Sequence, residues 1–194
     1  MDTKRRIDAA EALGTLFEIV REEAALLAEA GVRAASDLEL GVMVETPAAV
    51  VMADRLARVA AFFSVGTNDL TQYTLAVDRG SALLAARFTP LDPAVLRQLN
   101  QVVMAGRDAK IPVGVCGEMA SEPLSAILLL GLGYDSLSVG PPALPLIKWL
   151  VRKVPFAVAA EAAQAALLAD SALGVTIILR DAVQGYVDKR LLVA

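Results

Sequence analysis

Four short apolar runs, each closed by a polar or glycine residue and each followed by helical patterning, restrict what this chain can fold into more than any other feature. They are Leu40–Val44, Phe62–Val65, Val113–Val115 and Ser136–Val139. Short and mostly without alternation of apolar and polar residues, they read as strands covered on both faces, and such strands separated by helices build a parallel α/β sheet. The runs close at Glu45, Asn68/Asp69, Cys116/Gly117 and Gly140, with an offset of 24 residues from 45 to 69 and again from 116 to 140. The middle offset of 47 contains an excursion from Asp78 to Pro93, which reads as a long loop over the strand ends, followed by a helix from Pro93 to about Ala109.

Around this repeat, an alanine-rich amphipathic stretch from Asp8 to Ala30 predicts a helix stopped at Gly31. Pro47 opens a helical segment through about Val59, and further helices follow around Leu124–Leu130 and Ala143–Val151. The tail from Phe156 reads as a helix over Ala157–Ala169 and a second around Ile177–Leu192, although Val175-Thr176-Ile177-Ile178 is β-branched and favours strand. With no linker rich in glycine or serine, residues 1–194 are expected to form a single domain, with a helical segment at 1–37, a core at 38–152 and a helical tail at 153–194. Four strands amount to half of a (β/α)8 barrel, which leaves two bare sheet edges to cover.

Composition removes several function classes. There is no histidine, so no Ser-His-Asp or Cys-His nucleophile pair, histidine metal cluster or phosphohistidine can form on the chain. The single cysteine allows neither an internal disulfide nor a cysteine zinc site, which fits a reducing, cytoplasmic setting. Mean hydropathy is high at +0.56. Even so, the longest uncharged runs, Pro123–Tyr134 and Ser136–Ile147, fall short of the ~18 residues a membrane span needs. The charged N-terminus lacks the apolar core of a secretory signal. A net charge of −4 with scattered basic residues argues against a nucleic-acid surface.

Chemistry concentrates where the strands end, because loops and helix N-termini of a parallel sheet converge at that rim. Glu45 and Asp69 both stand there, and two carboxylates suit Mg²⁺, which keeps its remaining positions for water and phosphate. The competing reading is that Glu45 caps the helix after it and Asp69 caps a helix from Leu70. Cys116 also ends a strand, where its thiol is either a nucleophile or proton donor or an inert core residue. Arg79 either clamps a phosphate or carboxylate or pairs with Asp78 or Asp92. Gly66 and Gly117 would let backbone N–H groups approach an anion.

Three ordered motifs then carry a resemblance: Gly41-Val42-Met43-Val44-Glu45-Thr46-Pro47-Ala48-Ala49, the 18-residue run from Phe62 to Arg79 (FFSVGTNDLTQYTLAVDR), and Gly114-Val115-Cys116-Gly117-Glu118-Met119-Ala120. Together they resemble the C-terminal, TIM-barrel domain of PEP-utilising enzymes, and within that family the phosphoenolpyruvate-protein phosphotransferases, Enzyme I of the bacterial phosphotransferase system. The likeness is strong from about Val20 to Val151 and weaker through the tail.

The resemblance implies an α/β chain corresponding to the second half of the barrel, with the PEP-binding core at 38–152. It implies Glu45 and Asp69 as Mg²⁺ ligands, Asn68 and Arg79 holding the phosphoryl group, and Cys116 protonating the enolate of pyruvate. It also implies a phosphoaccepting histidine on a domain or protein other than this chain, and a homodimer. The family's first four strands and their phosphate-binding arginines have no counterpart here, so full turnover by this chain alone is not expected. Val139-Gly140-Pro141-Pro142 departs from the family's last-strand end, which suggests a nitrogen-regulatory or other divergent branch. The competing readings are a non-catalytic module for dimerisation or PEP sensing, and a remnant of pyruvate phosphate dikinase or PEP synthase.

Overall fold

A computed structural model describes residues 9–192 apart from Ala34, Ser36, Arg79, Ala82, Leu83, Ala85 and Ala86. The first element described is helix α1 (Ala9–Glu29), closed past Gly31 by a hydrogen bond from Val32 N–H to the Leu27 carbonyl at 2.9 Å. Strand β1 (Val42–Val44) leads to two short helices, α2 (Pro47–Val51) and α3 (Ala53–Leu56), where the sequence predicts one. The break falls at Met52, whose ψ of 8° leaves the helical range, while Val50, Ala53, Leu56 and Ala57 keep one face buried across it. Strand β2 (Phe63–Gly66) runs straight into α4 (Thr67–Leu75). Next come α5 (Pro93–Ala109), β3 (Val113–Cys116), a 3₁₀ turn at Glu118–Ser121 and α6 (Pro123–Leu132). Strand β4 (Ser136–Ser138) is followed by α7 (Leu144–Lys153), α8 (Phe156–Leu167), α9 (Ala172–Val183) and a 3₁₀ turn at Lys189–Leu191.

The strands lie in the order β1-β2-β3-β4, all parallel, as the repeat predicts for a half-barrel. Their register pairs Val44 with Val65, Val65 with Val115 and Val115 with Leu137. Because side chains alternate across a strand, this register sorts the sheet into two unlike faces. Val44, Phe63, Val65, Val113 and Val115 are buried against the helices. Met43, Ser64, Gly66, Gly114, Cys116, Ser136 and Ser138 form the other face, on which Met43, Ser136 and Ser138 are exposed.

Helix α6 is apolar all round, the composition of a helix covered on every side. One side meets the core and α8 covers another, with Gly131 so close to α8 that a Cβ there would stand 2.0 Å from the Ala159 carbonyl oxygen. In α9, Val175, Leu179 and Val183 recur every four residues and are fully buried, and this spacing overrides the β-branched local preference. That helix ends at Val183, nine residues short of the predicted Leu192. Among the described residues, no helix is long and apolar enough to cross a membrane.

Candidate functional site

The site is built where β1, β2 and β3 end. Continuing the β1–β2 register by one residue sets Glu45 opposite Gly66, and Gly66 pairs in turn with Cys116. Glu45, Gly66 and Cys116 therefore stand in one row across the rim. The missing side chain at Gly66 makes the row possible: a Cβ there would lie 2.8 Å from the Glu45 Cβ and 2.9 Å from its Oε2. The carboxylate is folded over the glycine into the space between Glu45 and Cys116, and any larger residue at 66 would displace it.

Capping does not explain either acid. Thr46, not Glu45, caps α2, its Oγ1 accepting from Ala49 N–H at 3.2 Å. Helix α4 starts at Thr67 with Gly66 as its N-cap, so Asn68 and Asp69 lie in its first turn and Asp69 does not begin a helix at Leu70. Thr67, Leu70 and Thr71 are buried, and their packing extends the helix back to Thr67, ahead of the start at Leu70 that an Asp69 cap would give. Here the free first-turn N–H groups and the helix dipole favour negative charge, including that of Asp69 itself. Among the described residues neither carboxylate is hydrogen bonded or paired with a cation. Two unpaired carboxylates at one rim are the hard-oxygen donor set that Mg²⁺ takes, leaving its other positions to water and phosphate. No cluster of three or more histidine, cysteine or acidic side chains occurs among the described residues.

Cys116 is half-buried and held from two sides. Its Sγ accepts the Ser64 hydroxyl at 3.1 Å and donates to the Val65 carbonyl at 3.6 Å. The following residue, Gly117, has φ +143°, and a Cβ there would lie 2.3 Å from Thr67 Oγ1. This Thr67 hydroxyl is fully buried and has no hydrogen-bond partner among the described residues. Below the thiol, the open face forms a groove of about 300 Å³ lined by Glu39, Phe62, Ser64, Gly114, Ser136 and Ser138, among others.

The structure thus brings Glu45, Asn68, Asp69 and Cys116 to one rim, as the strand ends predict. Arg79 lies outside the described residues. Sequence reasoning passed over Ser64 and Thr67. Ser64 had a signal, being the one hydroxyl in Phe62–Val65 and out of phase with Phe63 and Val65, so alternation places it on the opposite face from them.

Comparison with known proteins adds two findings. Residues 6–156 match the family described as PEP-utilising enzyme, PEP-binding domain. The chain is also similar to a phosphoenolpyruvate-protein phosphotransferase of Haemophilus influenzae, 41% identical over 167 residues that cover 86% of this chain and 28% of that protein. A second, of Buchnera aphidicola, is 44% identical over 131 residues, covering 68% of this chain and 23% of the relative. A multiphosphoryl transfer protein of Rhodobacter capsulatus is 46% identical over 138 residues, which are 71% of this chain and 17% of the relative. The chain therefore spans less than a third of the length of each of these relatives.

Proposed function

Since the chain belongs to the family of PEP-utilising enzyme, PEP-binding domains, we propose that it binds phosphoenolpyruvate at the rim of its sheet as part of a phosphoenolpyruvate-protein phosphotransferase. The observation that carries this reading is the row of Glu45, Gly66 and Cys116 at the strand ends, with Asn68 and Asp69 in the first turn of the helix that follows β2.

In this reading Glu45 and Asp69 hold Mg²⁺. Bound there, the cation neutralises charge on the phosphate and on the oxygen of the developing enolate. Asn68 and Arg79 hold the phosphoryl group, which leaves for a histidine on another domain or protein, because this chain has none. Loss of the phosphoryl group leaves the enolate of pyruvate. Cys116 then gives its S–H proton to the methylene carbon, forming the methyl group and a thiolate that solvent reprotonates. Residues 38–152 carry this chemistry and the 153–194 tail supports α6 from behind.

Isothermal titration with phosphoenolpyruvate, with and without Mg²⁺, is the test. Heat that depends on Mg²⁺ is expected, and absence of heat under both conditions would end the proposal.

Exposed apolar side chains favour a second element of the reading, self-association. Leu16, Ile19, Leu26 and Leu27 line α1, and Phe156, Leu168 and Leu173 stand out from the tail, several of them more than half exposed. We take these faces to be buried in a homodimer of a cytoplasmic protein. A monomeric mass in light scattering would remove the dimer and leave the ligand assignment untouched.

A further inference from the structure

We propose that Ser64 is a positioning residue for the Cys116 thiol, aiming the sulfur at the open face of the sheet and stabilising the thiolate left after proton donation. The inference rests on the proton-donor reading of Cys116 and goes beyond it, since no part of that reading involves Ser64. Ser64 pairs in register with Gly114, and Gly66 pairs with Cys116, so Ser64 and Cys116 lie one step apart on diagonal positions of the same face. With Gly66 and Gly114 carrying no side chains, nothing on β2 or β3 crowds the space between hydroxyl and sulfur. Ser64 Oγ donates to Sγ at 3.1 Å, while the thiol's own hydrogen is directed to the Val65 carbonyl at 3.6 Å. The sulfur is therefore fixed by an acceptor contact and a donor contact on adjacent residues.

After the S–H proton leaves, the thiol's contact to the Val65 carbonyl is lost, and the Ser64 O–H becomes a hydrogen bond to an anion, the stronger kind. A contact that strengthens when charge develops favours the reaction rather than the resting fold. A second, independent sign comes from the turn after Cys116. There the Thr67 hydroxyl of α4 is buried against Gly117 without a hydrogen-bond partner among the described residues, an unsatisfied group of the sort that a segment shaped only for stability avoids.

Cys116 is the only cysteine, so thiol chemistry reads it without ambiguity. The test is the pH profile of Cys116 alkylation by iodoacetamide in the full chain. In Ser64→Ala the profile is expected to move to higher pH, so that alkylation below its midpoint slows about threefold to tenfold. Ser64→Thr, which keeps the hydroxyl, restores the original profile. If Ser64→Ala fails to fold, Ser64→Gly gives the same readout. A hydroxyl-free variant that folds and retains the wild-type profile overturns the proposal. Deuterium incorporation into the methyl group of pyruvate in heavy water, with Mg²⁺ present, reads the parent assignment separately. If the wild-type chain and Cys116→Ala incorporate deuterium equally, the donor role falls. If only the wild-type chain incorporates it, and Ser64→Ala does so at the wild-type rate, Ser64 alone is removed.

Discussion

The two faces of the four-stranded sheet are built on opposite terms. Towards the helices, Val44, Phe63, Val65, Val113 and Val115 are buried apolar side chains, and the polar groups behind them are matched. The Tyr134 hydroxyl donates to the Leu99 carbonyl at 3.2 Å, and Asp135 accepts the Val113 N–H at 2.8 Å. Towards the open face and rim, side chains other than the exposed Met43 are small or polar, and among the described residues the Glu45 and Asp69 carboxylates have no partner and a buried threonine hydroxyl is unsatisfied. In a parallel α/β sheet the strand ends bind and the remainder stabilises. Polar groups left unmatched on one side of a well-packed sheet mark the side shaped for something other than its own fold.

Large-to-small changes on the helix side give the strongest check. Leu128 is fully buried in α6, and Leu128→Ala is expected to cost about 2–5 kcal/mol in urea unfolding, through lost burial and the cavity left behind. A cost below about 1 kcal/mol would mean that the core and α8 do not seal α6 as described.

Tyr134→Phe comes next, at about 0.5–1.5 kcal/mol for the lost hydrogen bond. Burial lifts the Tyr134 phenol far above the ordinary tyrosine range. Above about pH 10 the unfolded chain releases this proton while the folded one keeps it, so the folded state binds more protons and stability falls as pH rises. Unfolding measured along an alkaline series should show that fall in the wild-type chain and a flatter curve in Tyr134→Phe. Parallel curves would contradict the burial of the phenol.

The helix side was also the more legible in the sequence. Non-alternating strands, the Pro-led helices and the uniformly apolar α6 are all patterns of composition and period, and they predict elements that form. Legibility stopped where tertiary packing decided the outcome. Thr67-Asn68-Asp69 has the residue types of a turn, yet burial of Thr67, Leu70 and Thr71 makes it the first turn of a helix. The break at Met52 has no Gly or Pro to announce it. At the rim, Glu45 and Cys116 are recognisable as strand ends from the sequence, but only the register of parallel pairing reveals that Gly66 lies between them and that Ser64 reaches the sulfur.

Two substitutions at the rim sharpen the contrast further. Thr67→Val keeps the shape of a fully buried side chain and removes a hydroxyl that has no partner among the described residues. On the helix side such a change would cost stability; here it is expected to leave the protein unchanged or raise stability by roughly 0.5–1 kcal/mol. A loss of more than about 1 kcal/mol in thermal or urea unfolding would show that the hydroxyl is satisfied after all.

The smallest effect on folding is expected where the effect on binding is greatest. Neither Glu45 nor Asp69 has a hydrogen-bond or ion-pair partner among the described residues, and Glu45→Gln retains the volume folded over Gly66. Its unfolding free energy should stay within about 0.5 kcal/mol of the wild-type value, the usual range for substitutions that break no named interaction. Asp69→Asn gives up a favourable charge in the first turn of α4, which costs about 0.3–1 kcal/mol at low ionic strength and less in salt. In both variants the heat of phosphoenolpyruvate binding that depends on Mg²⁺ should vanish, because removing one of the two proposed anionic ligands takes away half of the charge that would hold the cation. Intact binding in both would assign the carboxylates to some other task. A stability loss of about 2 kcal/mol or more in Glu45→Gln would place that residue with the matched groups of the helix side and erase the distinction between the faces.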